Sequence, residues 1–108
     1  MICVSISTIG QLEKILDSGV FLLELRLDLT KKEPESIYPL IPEHIKTVAT
    51  CRPDHYPESE RIELLKRCMD LGATYVDVEI ESADKTLALL TKHAKACGTK
   101  TIISYHNF

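Results

Sequence analysis

A chain of 108 residues holds one domain at most, and its 44% hydrophobic and 27% charged residues are the ordinary mixture of a globular protein with a core. A net charge of -3 and a pI near 5.8 leave no basic footprint for nucleic acid or for an anionic membrane, so a small-molecule partner is the better expectation. Residues 1–5 lack the basic start and apolar run of a secretory signal, and no segment approaches the ~18 apolar residues of a membrane span; a cytoplasmic protein is expected.

Short apolar strands alternate with amphipathic helices along the chain, which argues for parallel βα units. Residues 2–6 form the first expected strand. Thr8 then offers an N-cap and Gln11 completes a capping box. Leu12, Ile15 and Leu16 make the buried stripe of a helix that Gly19 closes. A second strand is expected over 20–29, followed by a weak helix over 35–41 that Pro39 should shorten or distort.

The third strand is expected over 46–51. Pro53 and Pro57 bracket the next loop, and a helix over 59–71 keeps Ile62, Leu65, Cys68 and Met69 on one face until Gly72. A fourth strand spans 75–80. Ser82 caps a helix whose Ala83, Leu87, Leu90, Ala94 and Cys97 recur at helical spacing until Gly98, and the fifth strand covers 101–105. The order is (βα)4β. The cysteines Cys3, Cys51, Cys68 and Cys97 lie far apart within these elements, with no C-x-x-C pair, and read as reduced packing residues rather than as a disulfide framework or a zinc site.

An open doubly wound sheet and part of a (β/α)8 barrel both fit that order. Central strands of an open sheet are covered on both faces and read as continuous apolar runs. Here Leu23, Leu25 and Leu27 alternate with Glu24, Arg26 and Asp28, and Val76 and Val78 alternate with Asp77 and Glu79. Strand parity sends the two sets to opposite faces, and a barrel gives the charges a common interior. The expected fold is therefore α/β, a (βα)4β portion of a TIM (β/α)8 barrel. A complete barrel needs eight strands and ~250 residues, so residues 1–108 are expected to be the N-terminal half of a single barrel domain.

The same parity collects Ser5, Glu24, Arg26, Arg52, Glu79 and His106 near the C-terminal mouth of the strands. Ser5 or Asp28 taken singly is as well explained as the start of a loop. Charges set inside apolar strands are not, because an unpaired buried charge costs several kcal/mol. His44, His55 and His93 fall on connections or beside a helix stripe and read as surface residues. His106 follows the fifth strand, where a neutral imidazole can act as general base and then general acid near pH 7.

Four segments then fall in register on successive strands: Glu24-Leu25-Arg26-Leu27-Asp28, Thr50-Cys51-Arg52-Pro53, Tyr75-Val76-Asp77-Val78-Glu79 and Ser104-Tyr105-His106-Asn107-Phe108. Their order and spacing resemble the motifs of type I 3-dehydroquinate dehydratases, over the whole chain. The resemblance implies a cofactor-free lyase of the shikimate pathway in which a lysine forms an imine with the ketone of 3-dehydroquinate. A histidine removes a neighbouring C2 proton and then protonates the departing hydroxyl, giving 3-dehydroshikimate by syn elimination.

By motif His106 takes the acid–base role, while Glu24, Arg26, Arg52 and, with less support, Ser5 and Glu79 hold the substrate. The family's Glu-Gly-Gly stretch after the third strand is replaced here by residues 54–60, where Glu58 and Glu60 are the available partners for the histidine. No lysine ends a strand; the family's imine lysine follows the histidine by about one more βα unit and is expected beyond residue 108. If Glu24, Asp28, Asp77, Glu79 and Glu81 all face inward with Arg26 and Arg52, acids exceed bases and further cations must come from the same direction. The resemblance leaves open a homodimer and a fusion to shikimate dehydrogenase. Two rivals stand beside it: another Schiff-base barrel enzyme, and a non-catalytic half-barrel that binds a partner or serves as a structural module.

Overall fold

The computed structural model describes residues 3–52, 56–79 and 84–104. Its order is β1 (Cys3–Ile6), α1 (Ile9–Leu16), β2 (Leu22–Arg26), α2 (Leu27–Thr30), α3 (Pro34–Ile37), a 3-10 turn (Tyr38–Leu40), β3 (Lys46–Thr50), α4 (Glu58–Asp70), β4 (Tyr75–Glu79), α5 (Asp84–Cys97) and β5 (Lys100–Ser104). All strand pairs are parallel, and the sheet order is β1-β2-β3-β4-β5.

That order decides the architecture. A doubly wound sheet reverses its direction of growth so that helices cover both faces. Here each strand is added on the same side of its predecessor. Right-handed crossovers then lay every helix on one face, which is the winding of a barrel wall.

The core lies between that face and the helices. Ile6, Leu23, Leu25, Ala49, Val76 and Val78 from the strands are fully or almost fully buried with Leu12, Leu65, Cys68, Met69, Leu90 and Ala94 from the helices. Burial of each large apolar side chain contributes about 1.5 to 3 kcal/mol. Along β2 burial alternates residue by residue, so Glu24 and Arg26 turn to the face opposite Leu23 and Leu25.

Local signals account for the ends of the elements. The Thr8 side chain accepts from the Gln11 backbone N–H while the Gln11 side chain accepts from the Thr8 N–H, completing the expected capping box. Gly72 adopts φ 103° just beyond α4, a conformation that side chains other than hydrogen resist. Pro39 lacks the N–H an α-helix would need, and the chain passes from α3 into a single 3-10 turn there.

The second strand is shorter than its alternation suggested. It ends at Arg26, and Leu27–Thr30 coils into one helical turn that ends at Lys31 in the left-handed region. Asp28 is thus buried, but not as an inward-facing strand residue. Cys97 is another correction: Cys51 and Cys68 are buried free thiols as expected, whereas Cys97 is exposed at the end of α5.

Candidate active site

Register on the inner face brings the polar positions of successive strands side by side. Ser5 pairs in register with Glu24, Glu24 with Val48, and Arg26 with Thr50; further along the sheet Asp77 pairs with Ile102 and Glu79 with Ser104. Three of these side chains close into a cluster. Ser5 Oγ donates to Glu24 Oε1 at 2.5 Å, and Thr50 Oγ1 donates to Glu24 Oε2 at 3.0 Å. Two hydroxyls on neighbouring strands therefore fix both oxygens of one carboxylate in orientation, leaving its remaining lone pairs directed across the open face.

Arg26, two residues further along β2, is held by Asp28. Nε donates to Oδ1 at 3.1 Å and Nη2 to Oδ2 at 2.8 Å, a bidentate pair in which Asp28 is almost fully buried and Arg26 is partly open. Burial alone would push the Asp28 carboxyl up. The Arg26 hydrogen bonds and charge, joined by the Arg52 backbone N–H, outweigh it and hold the group below the ordinary carboxylate range. The same hydrogen bonding raises the Arg26 guanidinium against its own burial. Nearby, burial pushes the Cys51 thiol up to about 12, which makes it a packing group and no nucleophile at neutral pH.

Glu79 ends β4 and is buried, and Asp77 precedes it on the same face with Oδ1 buried and without a hydrogen-bond partner among the described residues. Arg52 lies two residues beyond β3 and is half-buried. The expected set thus divides. Ser5 and Glu24 touch each other, Arg26 pairs with Asp28, and Arg52 reaches the group through its backbone. His106 lies outside the described residues, as do His55, Glu81 and Ser82.

Glu58, one of the two carboxylates available to the histidine, forms an ion pair with the buried Arg61, whose Nε also donates to the Cys51 carbonyl at 2.9 Å. Glu60 is exposed in the same first turn of α4. It lines a cavity of about 270 Å³ with Lys31, Lys32, Glu33, Tyr56 and Arg67, off the inner face.

Thr50 was not among the candidates read from the sequence, and Asp28 was weighed there only as the start of a loop or as one more inward-facing acid. Parity already puts Thr50 on the face of Glu24, so that signal was present. The role of Asp28 depends on the helical turn after Arg26, which alternation does not reveal.

The model of the family described as type I 3-dehydroquinase matches residues 2–108. The chain is 34% identical over 103 residues to 3-dehydroquinate dehydratase of Pyrococcus abyssi, covering 90% of this chain and 46% of that protein. With 3-dehydroquinate dehydratase of Methanococcus vannielii it shares 37% identity over 91 residues, 82% of this chain and 41% of the relative. The chain spans about half the length of the curated relatives it matches.

A crystal structure of type I 3-dehydroquinate dehydratase from Clostridium difficile, with covalently modified comenic acid, superposes with a TM-score of 0.85 at 23% identity, over 98% of this chain and 50% of that one. A structure of 3-dehydroquinate dehydratase from Enterococcus faecalis gives a TM-score of 0.80 at 20% identity, over 98% of this chain and 53% of that one. Those likenesses establish the fold as part of a (β/α) barrel. The match over residues 2–108 and the sequence relatives establish kinship: this chain belongs to the type I 3-dehydroquinase family.

Proposed function

We propose that residues 1–108 are the N-terminal half of a 3-dehydroquinate dehydratase barrel, supplying the acid–base histidine and part of the substrate cradle. The observation that carries this reading is the Glu24 carboxylate, oriented by hydroxyls from both neighbouring strands on the open face that bears the family's motifs. Such a group accepts hydrogen bonds from a polyhydroxylated ring without reorganising. Arg26, fixed by Asp28, and Arg52 offer positive charge and planar donors to the substrate's oxygens. Ser5 and Glu79 complete this part of the cradle.

In the reaction a lysine from outside these residues condenses with the C3 ketone, losing water to form an imine. His106 takes a C2 proton, the electron pair moves into the imine, and it returns to expel the C1 hydroxyl, which His106 protonates to water. Hydrolysis of the imine releases 3-dehydroshikimate and restores the lysine. None of the described strands ends in a lysine: β1 to β5 end at Ile6, Arg26, Thr50, Glu79 and Ser104.

The protein at the full length of its relatives should convert 3-dehydroquinate to the conjugated enone of 3-dehydroshikimate, followed by ultraviolet absorbance. No product would sink the assignment. In the same protein, H106A should slow turnover by roughly 10²-fold or more, the usual scale of general acid–base help. Borohydride should still trap the imine in that variant; near-normal turnover would remove His106 from the role.

A further inference from the structure

At the opposite ends of the strands from this cluster, α4 and α5 finish side by side. Asp70 is the last residue of α4, and His93 and Cys97 lie one helical turn apart at the end of α5. His93 Nε2 is 2.8 Å from Asp70 Oδ1, Cys97 Sγ donates to the same oxygen at 3.4 Å, and all three donor atoms lie within 4.8 Å of one another. We propose that Asp70, His93 and Cys97 form a binding site for a divalent transition-metal ion of the zinc class, tying the ends of α4 and α5 together.

Ligand chemistry selects that class. A thiolate and an imidazole favour zinc and its neighbours over magnesium or calcium, which require oxygen. Tetrahedral zinc with bonds of about 2.0 to 2.3 Å separates its ligand atoms by roughly 3.3 to 3.8 Å. The Cys97–Asp70 distance of 3.4 Å already falls in that range. The hydrogen-bonded His93–Asp70 pair is shorter, and a small rotation of the exposed Asp70 side chain opens it. On binding, Cys97 releases its thiol proton to solvent; carboxylate and thiolate then carry two negative charges, which a divalent ion cancels while water takes the fourth position.

The surroundings hold this geometry. Two helix C-termini converge here, and each presents the partial negative end of its dipole to a cation. Just beyond α4 the Ala73 N–H closes on the Cys68 carbonyl at 3.0 Å, and just beyond α5 the Thr99 N–H closes on the Ala94 carbonyl at 2.9 Å. The two connections are joined to each other: Thr99 Oγ1 donates to the Ala73 carbonyl at 2.9 Å and the Lys100 N–H to the Thr74 carbonyl at 3.0 Å. The spacing of the ligand backbones is therefore set by the fold before any ion arrives. Lys66 adds a nearby positive charge to Asp70, which the net charge of the two anionic ligands exceeds.

The test uses the protein at the full length of its relatives with its thiols reduced. Titration with Zn(II) against a competing chelator should show one equivalent bound and a rise in the thermal unfolding midpoint, because the ion binds the folded state. Co(II) should give tetrahedral visible bands and a thiolate-to-cobalt charge-transfer band. C97S keeps a hydroxyl able to hydrogen-bond Asp70 but removes the soft ligand. It should abolish the charge-transfer band and weaken Zn(II) by at least about tenfold, or 1.4 kcal/mol. H93Q should weaken binding similarly with circular dichroism unchanged. Absence of one-equivalent binding to the parent chain would overturn the site, as would affinity and spectra unaltered in C97S and H93Q.

Discussion

Arg26 and Asp28 show how a strand end keeps a substrate-facing cation in place, and their unequal burial makes the pair testable. Asp28 is 1% exposed and Arg26 23%. Removing the arginine strands a carboxylate in the core, whereas removing the acid leaves a guanidinium that can turn to water. R26A should therefore cost roughly 3 kcal/mol, the lower end for a broken buried pair, and D28N distinctly less, measured by urea unfolding. An equal loss in both would show that burial does not set the cost. The folded-state pKa of Asp28 is depressed, so the unfolded chain binds the extra proton and stability rises with pH. The contribution is complete above the unfolded value of about 3.9 and is lost as pH falls through the folded one. Acid unfolding of the parent chain should show that extra dependence, and D28N should flatten it.

Helix ends were the most legible elements because their chemistry is local: a hydroxyl with a glutamine three residues on, or a glycine after the apolar stripe. Gly72 at φ 103° is the most demanding of these. G72A should cost about 1 to 3 kcal/mol although nothing lies within 4 Å of the added methyl, since backbone strain and not crowding sets the penalty. Thermal unfolding that matches the parent would refute this. The face of each strand was also legible, because parity follows from the pleat and is enough to put Ser5, Glu24 and Arg26 on one side. The end of β2 was not. Leu25, Leu27 and Leu29 continue the alternation past Arg26, and only the closing of Leu27–Thr30 into a turn brings the Asp28 carboxylate back onto the guanidinium. Likewise the helical spacing that placed Leu90 and Ala94 in the core extends to Cys97, yet that thiol lies exposed against Asp70 at the end of α4.

For the whole molecule, sequential strand order leaves two problems that one neighbouring wall would solve. The inner face holds Glu24, Asp77 and Glu79 against Arg26, which Asp28 already neutralises. Asp77 Oδ1, buried and without a hydrogen-bond partner among the described residues, marks where a donor from facing strands would be worth most. The sheet also has open edges at β1 and β5. On β5, Ile102 on the inner face and Ile103 on the helix side are 38% and 52% exposed. A parallel edge strand with apolar side chains on both faces is a template for pairing with another chain. The 108-residue chain alone should accordingly self-associate with rising concentration in sedimentation velocity. I102K/I103K, which puts charge on both faces of that edge, should shift it toward monomer while leaving helix content unchanged. At the full length of the relatives those residues would be covered, and the same double substitution should instead destabilise the fold. A 108-residue chain that stays monomeric at high concentration would show that the β5 edge is already protected.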